Sequence, residues 1–283
     1  MPLEVGVYLL RGNGRSQRIG ERMAAGIRRA GDKVTIRTDG EYHGPREAVA
    51  VFYGFEKNTP TIMEEMKAAG RKAVYLDLGY WGRREGGRFA GYHKIAINDR
   101  HPTNYFQNTA HSDDRVARFN LQVRPWQSGG GHILVAGMSD RAAASLGMQP
   151  EEWERWAIAE ARKHTDRQII YRPKPSWRTA KPILGVGFSH QKEPLENALA
   201  GCHAVVTHHS NVAVDAMVAG IPAFCWAGVA QPMTSQDLSQ IEAPAYPDDR
   251  EQWLADVAYC QWNGAEMENG KPWRHLKGEG LVP

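Results

Sequence analysis

The fold class of this chain is decided by residues 204–224, AVVTHHSNVAVDAMVAGIPAF. The apolar run at 204–206 predicts a buried parallel strand, because it is short and does not alternate with polar residues. Four polar residues, 208–211, follow it and precede a predicted helix that ends at Gly220, with Pro222 just beyond. This order of strand, polar turn, helix and strand is typical of an α/β protein with a parallel sheet.

The polar turn is also the strongest candidate binding site in the sequence. His209, Ser210 and Asn211 lie where the predicted helix begins, and Asp215 falls in its first turn. A helix N-terminus at the carboxyl end of a parallel strand favours an anion, so a phosphate with its ribose would suit this place. The alternative is that Ser210 or Asn211 only caps the helix.

Length and composition predict an ordinary globular protein. At about 150 residues per domain, a chain of 283 residues suggests one large or two medium domains. The three cysteines are few and widely spaced, which indicates reduced core residues rather than disulfides or a zinc motif. No apolar run is long enough to span a bilayer, and the first strand leaves no room for a signal peptide. We therefore expect a cytoplasmic protein.

Strands and helices alternate in both halves of the sequence. This predicts two Rossmann-like domains that face each other across a cleft, the first at 1–125 and the second at 126–283. A polar, Pro- and Gly-containing stretch at 101–131 predicts the linker. We expect the tail beyond Gly264 to pack back on the first domain.

A basic segment follows another predicted strand of the second domain. Arg172 and Lys174 alternate with two prolines there, and Arg178 lies a few residues further on. Alternate residues of an extended chain project to the same side, so the first two cations could hold one pyrophosphate. The alternative is a solvated basic loop.

Weaker signals lie in the first half. Gly12 and Gly14 follow the first predicted strand and could approach a phosphate, although the sequence lacks both G-x-G-x-x-G and the P-loop motif. Asp77 ends the fourth predicted strand and could act as a general base toward a hydroxyl group, or simply form a turn. Tyr80 and Trp81 beside it could stack on a ring.

The histidines show no tight metal-ligand spacing in sequence, so we expect no metal site. We expect no cofactor either.

Together these motifs resemble the GT-B glycosyltransferases, in particular compact bacteriophage glycosyltransferase-like proteins. IIYRPKPSWR at 169–178 resembles the basic strand and loop that neutralise the donor diphosphate in that family, and residues 205–224 resemble its donor-site strand and helix. The resemblance implies that Arg172 and Lys174 hold diphosphate, that Ser210 and Asn211 bind phosphate, and that Asp215 binds ribose. It also implies that the second domain, 126–283, binds the donor, with a UDP-sugar expected as co-substrate, and that the first domain, 1–125, binds the acceptor.

The resemblance also implies an acceptor. YLDLGYWGRR at 75–84 is similar to phage members of this fold, some of which glycosylate DNA bases in the host cytoplasm. On that basis the acceptor is a 5-hydroxymethyl pyrimidine in duplex DNA, with Asp77 as the base and Arg83, Arg84 and Arg88 contacting phosphates. The alternatives are a cell-surface saccharide acceptor, and a non-catalytic nucleotide- or DNA-binding protein.

Overall fold

The computed structural model describes residues 1–87, 89–103 and 110–283. They form two compact units, the first made of Met1–Phe119 and Gln252–Pro283, and the second of Asn120–Glu251. The chain thus passes from the first unit into the second near residue 120 and returns at 252. The sequence-based division instead placed residues 126–283 in one domain. Part of the predicted linker, 104–109, lies outside the described residues.

The elements are numbered along the chain. The first segment contains β1 (Glu4–Leu9), α1 (Gly14–Arg29), β2 (Lys33–Thr38), β3 (Val49–Tyr53), α2 (Thr59–Ala68), β4 (Lys72–Leu78) and β5 (His93–Ile97). The second unit contains β6 (His132–Ala136), α3 (Asp140–Ala144), α4 (Glu152–Ala161), β7 (Gln168–Arg172), β8 (Gly187–Phe188), α5 (Leu195–Leu199), β9 (Cys202–Thr207), α6 (Val212–Ala219) and β10 (Ala223–Cys225). The last segment contains α7 (Arg250–Tyr259), β11 (Gln261–Trp262), α8 (Gly264–Glu268) and α9 (Lys271–Gly278). In the part of the chain that the structure describes, none of the helices is both long and apolar enough to cross a bilayer.

The sheet of the first unit is mixed. Its strand order is β11-β5-β4-β3-β1-β2, with β4, β3, β1 and β2 parallel. β5 runs the other way, antiparallel to both of its neighbours, β4 and β11, so β11 again has the direction of the four parallel strands. A parallel neighbour needs a crossover connection, usually a helix, and the described residues between β4 and β5 form only turns.

The sheet of the second unit is parallel throughout, in the order β10-β9-β6-β7-β8. Ala136, Arg172 and Thr207 are register partners at the ends of β6, β7 and β9. The loops that follow these strands consequently leave the sheet at one edge. The predicted fold class, α/β with two Rossmann-like sheets, is confirmed.

Each unit has its own apolar core. In the first, all five residues of β3 are buried, and Phe52 packs with the α2 residues Ile62 and Met66. In the second, Ile133 and Val206 from neighbouring strands pack with Trp153 of α4. Strands buried on both faces explain the continuous apolar runs of the sequence.

Residues 252–283 complete the first unit by backbone contact with α1. A Cβ atom at Gly26 of α1 would lie 1.9 Å from the carbonyl oxygen of Met267, and one at Gly270 would lie 2.5 Å from the carbonyl oxygen of Gly26. Gly270 also has a φ of +74°, in the left-handed region. The two glycines therefore allow α1 to touch the turn between α8 and α9.

Asp32, just after α1, fixes the same contact through charge. Its carboxylate accepts hydrogen bonds from Trp273 Nε1 at 2.7 Å, Lys277 Nζ at 2.9 Å and the backbone N–H of Leu3 at 2.9 Å. Burial raises the pKa of Asp32, but the three hydrogen bonds outweigh it and leave the pKa below its usual value. The charged carboxylate thus stabilises the docked α9.

Replacing Gly26 by alanine is expected to destabilise the first unit. The added methyl group meets backbone atoms, which cannot rotate away, so we expect a loss at the upper end of the roughly 1–3 kcal/mol typical of overpacking. Urea unfolding measures the loss. Gly14→Ala, in the same helix with open space around its Cβ position, is the control and should cost nothing. Equal stability of the two variants would contradict the close contact.

Asp32 also predicts a pH dependence of stability. A depressed folded-state pKa gives stability that is present above the unfolded-state value of about 3.9 and is lost as pH falls through the folded value. The stability difference between wild type and Asp32→Asn should therefore be constant near neutral pH and shrink below about pH 4. Denaturant titrations across pH measure it, with the exposed Asp166→Asn as control. A difference that persists unchanged at low pH would rule out the charge as its source.

Candidate functional site

Most of the predicted donor residues lie at the carboxyl edge of the parallel sheet in the second unit. In open α/β sheets this edge is where ligands bind. The loop at 208–211 leaves β9 there and leads directly into α6, which has eight residues. The basic segment leaves the same edge after β7.

The loop at 208–211 is held from both sides. Thr207 Oγ1 donates to the carbonyl oxygen of Ala136 at 2.7 Å and accepts from the N–H of Ser210 at 3.2 Å. Ser210 Oγ in turn accepts from the N–H of Val212 at 3.3 Å, whereas the Asn211 side chain makes no capping hydrogen bond. A backbone hydrogen bond at the start of the helix therefore explains the presence of Ser210 but not that of Asn211.

The two histidines and Asp215 complete this loop. His208 Nδ1 lies 2.9 Å from His209 Nδ1, and the carbonyl oxygen of His208 accepts from the N–H groups of Trp226 and Ala227. Asp215 is half-buried in the first turn of α6. The arrangement presents imidazole, amide and carboxylate groups around one helix N-terminus.

Arg172, predicted to hold diphosphate, has a structural role here. Its side chain is 6% exposed, and its guanidinium donates to Ser189 Oγ at 2.6 Å and to the carbonyl oxygens of His190 at 3.3 Å and Glu193 at 2.6 Å. Burial lowers the pKa of Arg172, an effect that Glu193 partly offsets. Arg172 thereby fixes residues 189–193 to the end of β7.

The other two cations of the basic segment are exposed. Lys174 and Arg178 lie in a stretch without helix or strand, where a turn joins the N–H of Trp177 to the carbonyl oxygen of Lys174 at 2.9 Å. We expected Arg172 and Lys174 to bind one pyrophosphate together. In the structure the Arg172 side chain is buried and the Lys174 side chain is exposed, so they do not form such a pair.

Sequence reasoning missed a buried acid below this edge. Glu154 of α4 is fully buried, and its Oε1 accepts from the N–H of Met138 at 2.7 Å. Burial raises the pKa of its carboxyl group. Nothing in EEWERWAIAEA, residues 151–161, separates Glu154 from the neighbouring surface acids. Glu154 positions the loop that follows β6.

An aromatic cluster adjoins the loop at 208–211. Trp226 lies 5.5 Å from Trp153 and 5.4 Å from Trp156 between ring centroids, and Trp153 lies 5.7 Å from His208. Trp156 is 45% exposed. The cluster places an exposed aromatic ring beside the polar loop.

Asp77 lies at the carboxyl edge of the first sheet, at the end of β4. Its Oδ2 accepts from the Tyr75 hydroxyl at 2.8 Å, and its Oδ1 accepts from the N–H of Leu78 at 2.8 Å. The Tyr53 hydroxyl lies 3.5 Å from Oδ1. Burial, followed by the charge of Asp77, raises the pKa of Tyr53 to about 12, so its hydroxyl stays a donor. These contacts orient a half-buried carboxylate.

Arg15 and His93 extend this group of side chains. Arg15 donates to the Tyr53 hydroxyl at 3.4 Å, and the His93 ring lies 5.8 Å from the Tyr53 ring. His93 is 1% exposed, its Nδ1 faces the carbonyl oxygen of Gly91 at 2.8 Å, and its Nε2 has no hydrogen-bond partner among the described residues. Burial, with Arg15 adding to it, lowers the pKa of His93 to about 4, which keeps the imidazole neutral at pH 7. The antiparallel start of β5 brings His93 here, so local sequence could not place it.

Gly12 and Gly14 lie in the first unit, unlike the other predicted donor residues. They flank Asn13, whose side chain accepts from the N–H groups of Arg15 and Ser16 and caps α1. A Cβ atom at either glycine would meet no atom within 4 Å. The loop after β1 is therefore open.

The residues that were predicted to contact DNA differ in how far they are exposed. Tyr80 is 4% exposed, the Trp81 ring packs 5.5 Å from Phe119, and Arg83 Nε donates to the carbonyl oxygen of Gly79 at 2.5 Å. Arg84 is exposed, and Arg88 lies outside the described residues. In this structure Tyr80 cannot stack on a base.

Comparison with known proteins bears on the fold. No family model and no curated protein matches this sequence. A solved structure of a β-Kdo 2,4 transferase, KpsC of Thermosulfurimonas dismutans, is similar with a TM-score of 0.56 at 12% identity, covering 91% of this chain and 90% of that chain. The β-Kdo 2,7 transferase of the same KpsC gives a TM-score of 0.50 at 12% identity, covering 96% of this chain and 99% of that one. This chain therefore shares the Rossmann-like α/β fold of GT-B glycosyltransferases.

Proposed function

We propose that this protein is a glycosyltransferase that moves a sugar from a nucleoside diphosphate to a hydroxyl group of a saccharide. The observation that carries the proposal is the loop at 208–211, which opens onto the N-terminus of α6 at the carboxyl edge of a wholly parallel sheet. The shared fold supports it, since both similar structures are named as sugar transferases.

The second unit binds the donor in this proposal. The positive end of the α6 dipole attracts the diphosphate, with Asn211 and His209 beside it and Lys174 and Arg178 on the exposed segment. Asp215 accepts from the ribose hydroxyls, and the exposed tryptophan surface around Trp156 accepts the nucleobase. The same cations and dipole stabilise the diphosphate as it leaves.

Asp77 is the general base toward the acceptor. It takes the proton from the acceptor hydroxyl while that oxygen attacks the anomeric carbon and the bond from that carbon to the diphosphate breaks. Tyr75 and the N–H of Leu78 hold the carboxylate in one orientation, at 2.8 Å each. Arg15, which donates to the Tyr53 hydroxyl at 3.4 Å, lies at the same edge and supplies a polar contact to a sugar.

A saccharide acceptor fits the described residues better than a base in duplex DNA. Tyr80 is buried in the first unit, and Arg83 is engaged with the backbone of Gly79. The ring of Tyr80 is thus not available for stacking, and the net charge of +3 adds little attraction to DNA.

Nucleoside diphosphates are expected to stabilise the protein against heat. A ligand at a hundredfold excess over its Kd adds about 2.7 kcal/mol, which a melting scan detects. We expect Lys174→Ala, Arg178→Ala and Asp215→Asn each to reduce the shift. Lys163→Ala, an exposed lysine before the amino end of β7, is the matched control. Arg172→Ala is unsuitable, because it also removes the support of residues 189–193.

A screen of uridine, guanosine and cytidine nucleotides identifies the base. No shift with any of them at saturating concentration, or an equal loss in Lys163→Ala, would contradict the donor site. Slow hydrolysis of the nucleotide-sugar without acceptor separates an enzyme from a non-catalytic nucleotide-binding protein.

Asp77→Asn is expected to lower turnover by about 10²–10⁴-fold, the usual contribution of a general base, with donor affinity unchanged. Asparagine keeps the size and the turn preference of aspartate but does not accept the proton. The measurement is kcat with Kd for the donor, and the exposed Asp113→Asn is the control. Full turnover in a folded Asp77→Asn protein would remove Asp77 from the mechanism.

The salt dependence of DNA binding distinguishes a saccharide acceptor from a DNA acceptor. A saccharide-specific enzyme should show no association with duplex DNA beyond that of any weakly basic protein. If DNA binds at low salt and log K falls against log salt with a slope near 0.9 per phosphate contacted, the DNA acceptor is correct instead. Arg84→Ala should then flatten the slope.

A further inference from the structure

Three potential metal ligands converge in the first unit, away from the residues used above. One atom from each of His111, His275 and Glu279 lies within 4.8 Å of the other two. The sequence predicted no metal site, because its histidines show no tight metal-ligand spacing along the chain. The fold brings them together on α9 and on the segment that begins at residue 110.

Two of the ligands share one helix face. The N–H of Glu279 donates to the carbonyl oxygen of His275 at 2.9 Å, so the helical turn continues through Glu279. Residues four apart on a helix stand one above the other, which is the spacing by which a helix presents two ligands to one ion.

The third ligand is oriented by a carboxylate. His111 Nδ1 lies 3.0 Å from Asp256 Oδ1, which also accepts from the backbone N–H of His111 at 2.9 Å and from Gln252 Nε2 at 3.1 Å. A carboxylate that holds one nitrogen of an imidazole fixes the tautomer and leaves Nε2 as the nitrogen that faces a metal.

Aromatic contacts hold both rings. His111 stacks on Tyr259 at 4.4 Å between centroids and 21° between planes, and His275 lies 5.2 Å from the same ring. The His111 and His275 rings are 5.4 Å apart. Little side-chain freedom is therefore lost when an ion binds.

The charge around the cluster suits a cation. Glu279 and Asp256 are acidic, and the nearby Arg115 is neutralised by Glu266 through two hydrogen bonds of 2.9 and 3.2 Å. Two imidazole nitrogens with one carboxylate oxygen are donors preferred by zinc and its neighbours among the transition metals, not by Mg²⁺ or Ca²⁺.

We propose that His111, His275 and Glu279 bind one Zn²⁺, with water as the fourth ligand and with Asp256 positioning His111. Ligand atoms about 2.1 Å from a tetrahedral zinc lie roughly 3.4 Å from one another. The three ligand atoms now lie within 4.8 Å of one another, so small side-chain rotations bring them to that distance. The ion ties α9 to the start of the 110–119 segment and, through Asp256, to α7. Its role is to hold the C-terminal helix in place, separately from sugar transfer.

The test is a Zn²⁺ titration of the full chain without a histidine tag, after removal of metals with EDTA, in competition with a chromophoric chelator. We expect one equivalent to bind. His275→Ala should abolish binding, and Glu279→Gln, at the half-buried helix end, should weaken it at least tenfold. Asp256→Asn should weaken it by about 10–100-fold, as expected for a residue that orients a ligand. His43→Ala, at an exposed histidine, should bind as wild type.

Two readouts keep the test decisive. Co²⁺ in place of Zn²⁺ should give visible absorption bands of a tetrahedral site in wild type and not in Glu279→Gln, and Zn²⁺ should raise the melting temperature of wild type more than that of either ligand variant. Equal Zn²⁺ affinity of wild type, His275→Ala and Glu279→Gln would overturn the proposal, as would a loss of binding in His43→Ala. Neither measurement depends on a nucleotide or a sugar.

Discussion

The first unit depends on one close contact, the approach of α1 to the turn between α8 and α9. Gly26 and Gly270 allow two backbones to touch, and the charged Asp32 holds Trp273 and Lys277 against the end of α1. The segment held by this contact also supplies β11, which pairs with β5 at the edge of the sheet. Because β5 carries His93 to the end of β4, the same contact supports the surroundings of Asp77.

Buried arginines play a comparable part in both units. Arg172 donates to two carbonyl oxygens and a hydroxyl group, and Arg115 donates to the carbonyl oxygens of Ala258 and Gln261 while pairing with Glu266. A guanidinium offers five donors in a fixed plane, so it satisfies several loop carbonyls at once. The same property makes arginine a good phosphate ligand, and sequence alone does not distinguish the two uses.

Sequence reasoning placed correctly those elements whose start and end are determined by residues within or next to the element. The strand before the polar turn, the helix after it and its end at Gly220 all follow from apolar runs and the left-handed glycine, whose φ is +74°. Asp77 was likewise placed at a strand end because the strand is a short apolar run. Local patterns are sufficient where neighbours in sequence are also neighbours in space.

The features that sequence reasoning missed have causes elsewhere in the chain. His93 reaches the candidate site because β5 runs antiparallel, and Glu154 is recognisable as buried only once β6 and its loop lie over α4. The metal ligands His111 and His275 belong to segments separated by the whole second unit. Burial and proximity of this kind are properties of packing, which a single sequence does not display.

The inserted position of the second unit has a consequence for biosynthesis. Residues 120–251 are continuous, so this unit can fold on the ribosome as soon as they have emerged, whereas the first unit lacks β11, α8 and α9 until the last residues are made. During that interval β5 lacks the strand that pairs with its outer edge, and Gly26 of α1 lacks its contact with the turn between α8 and α9. The nascent first unit is then the aggregation-prone part of the chain, and the one for which a chaperone matters most.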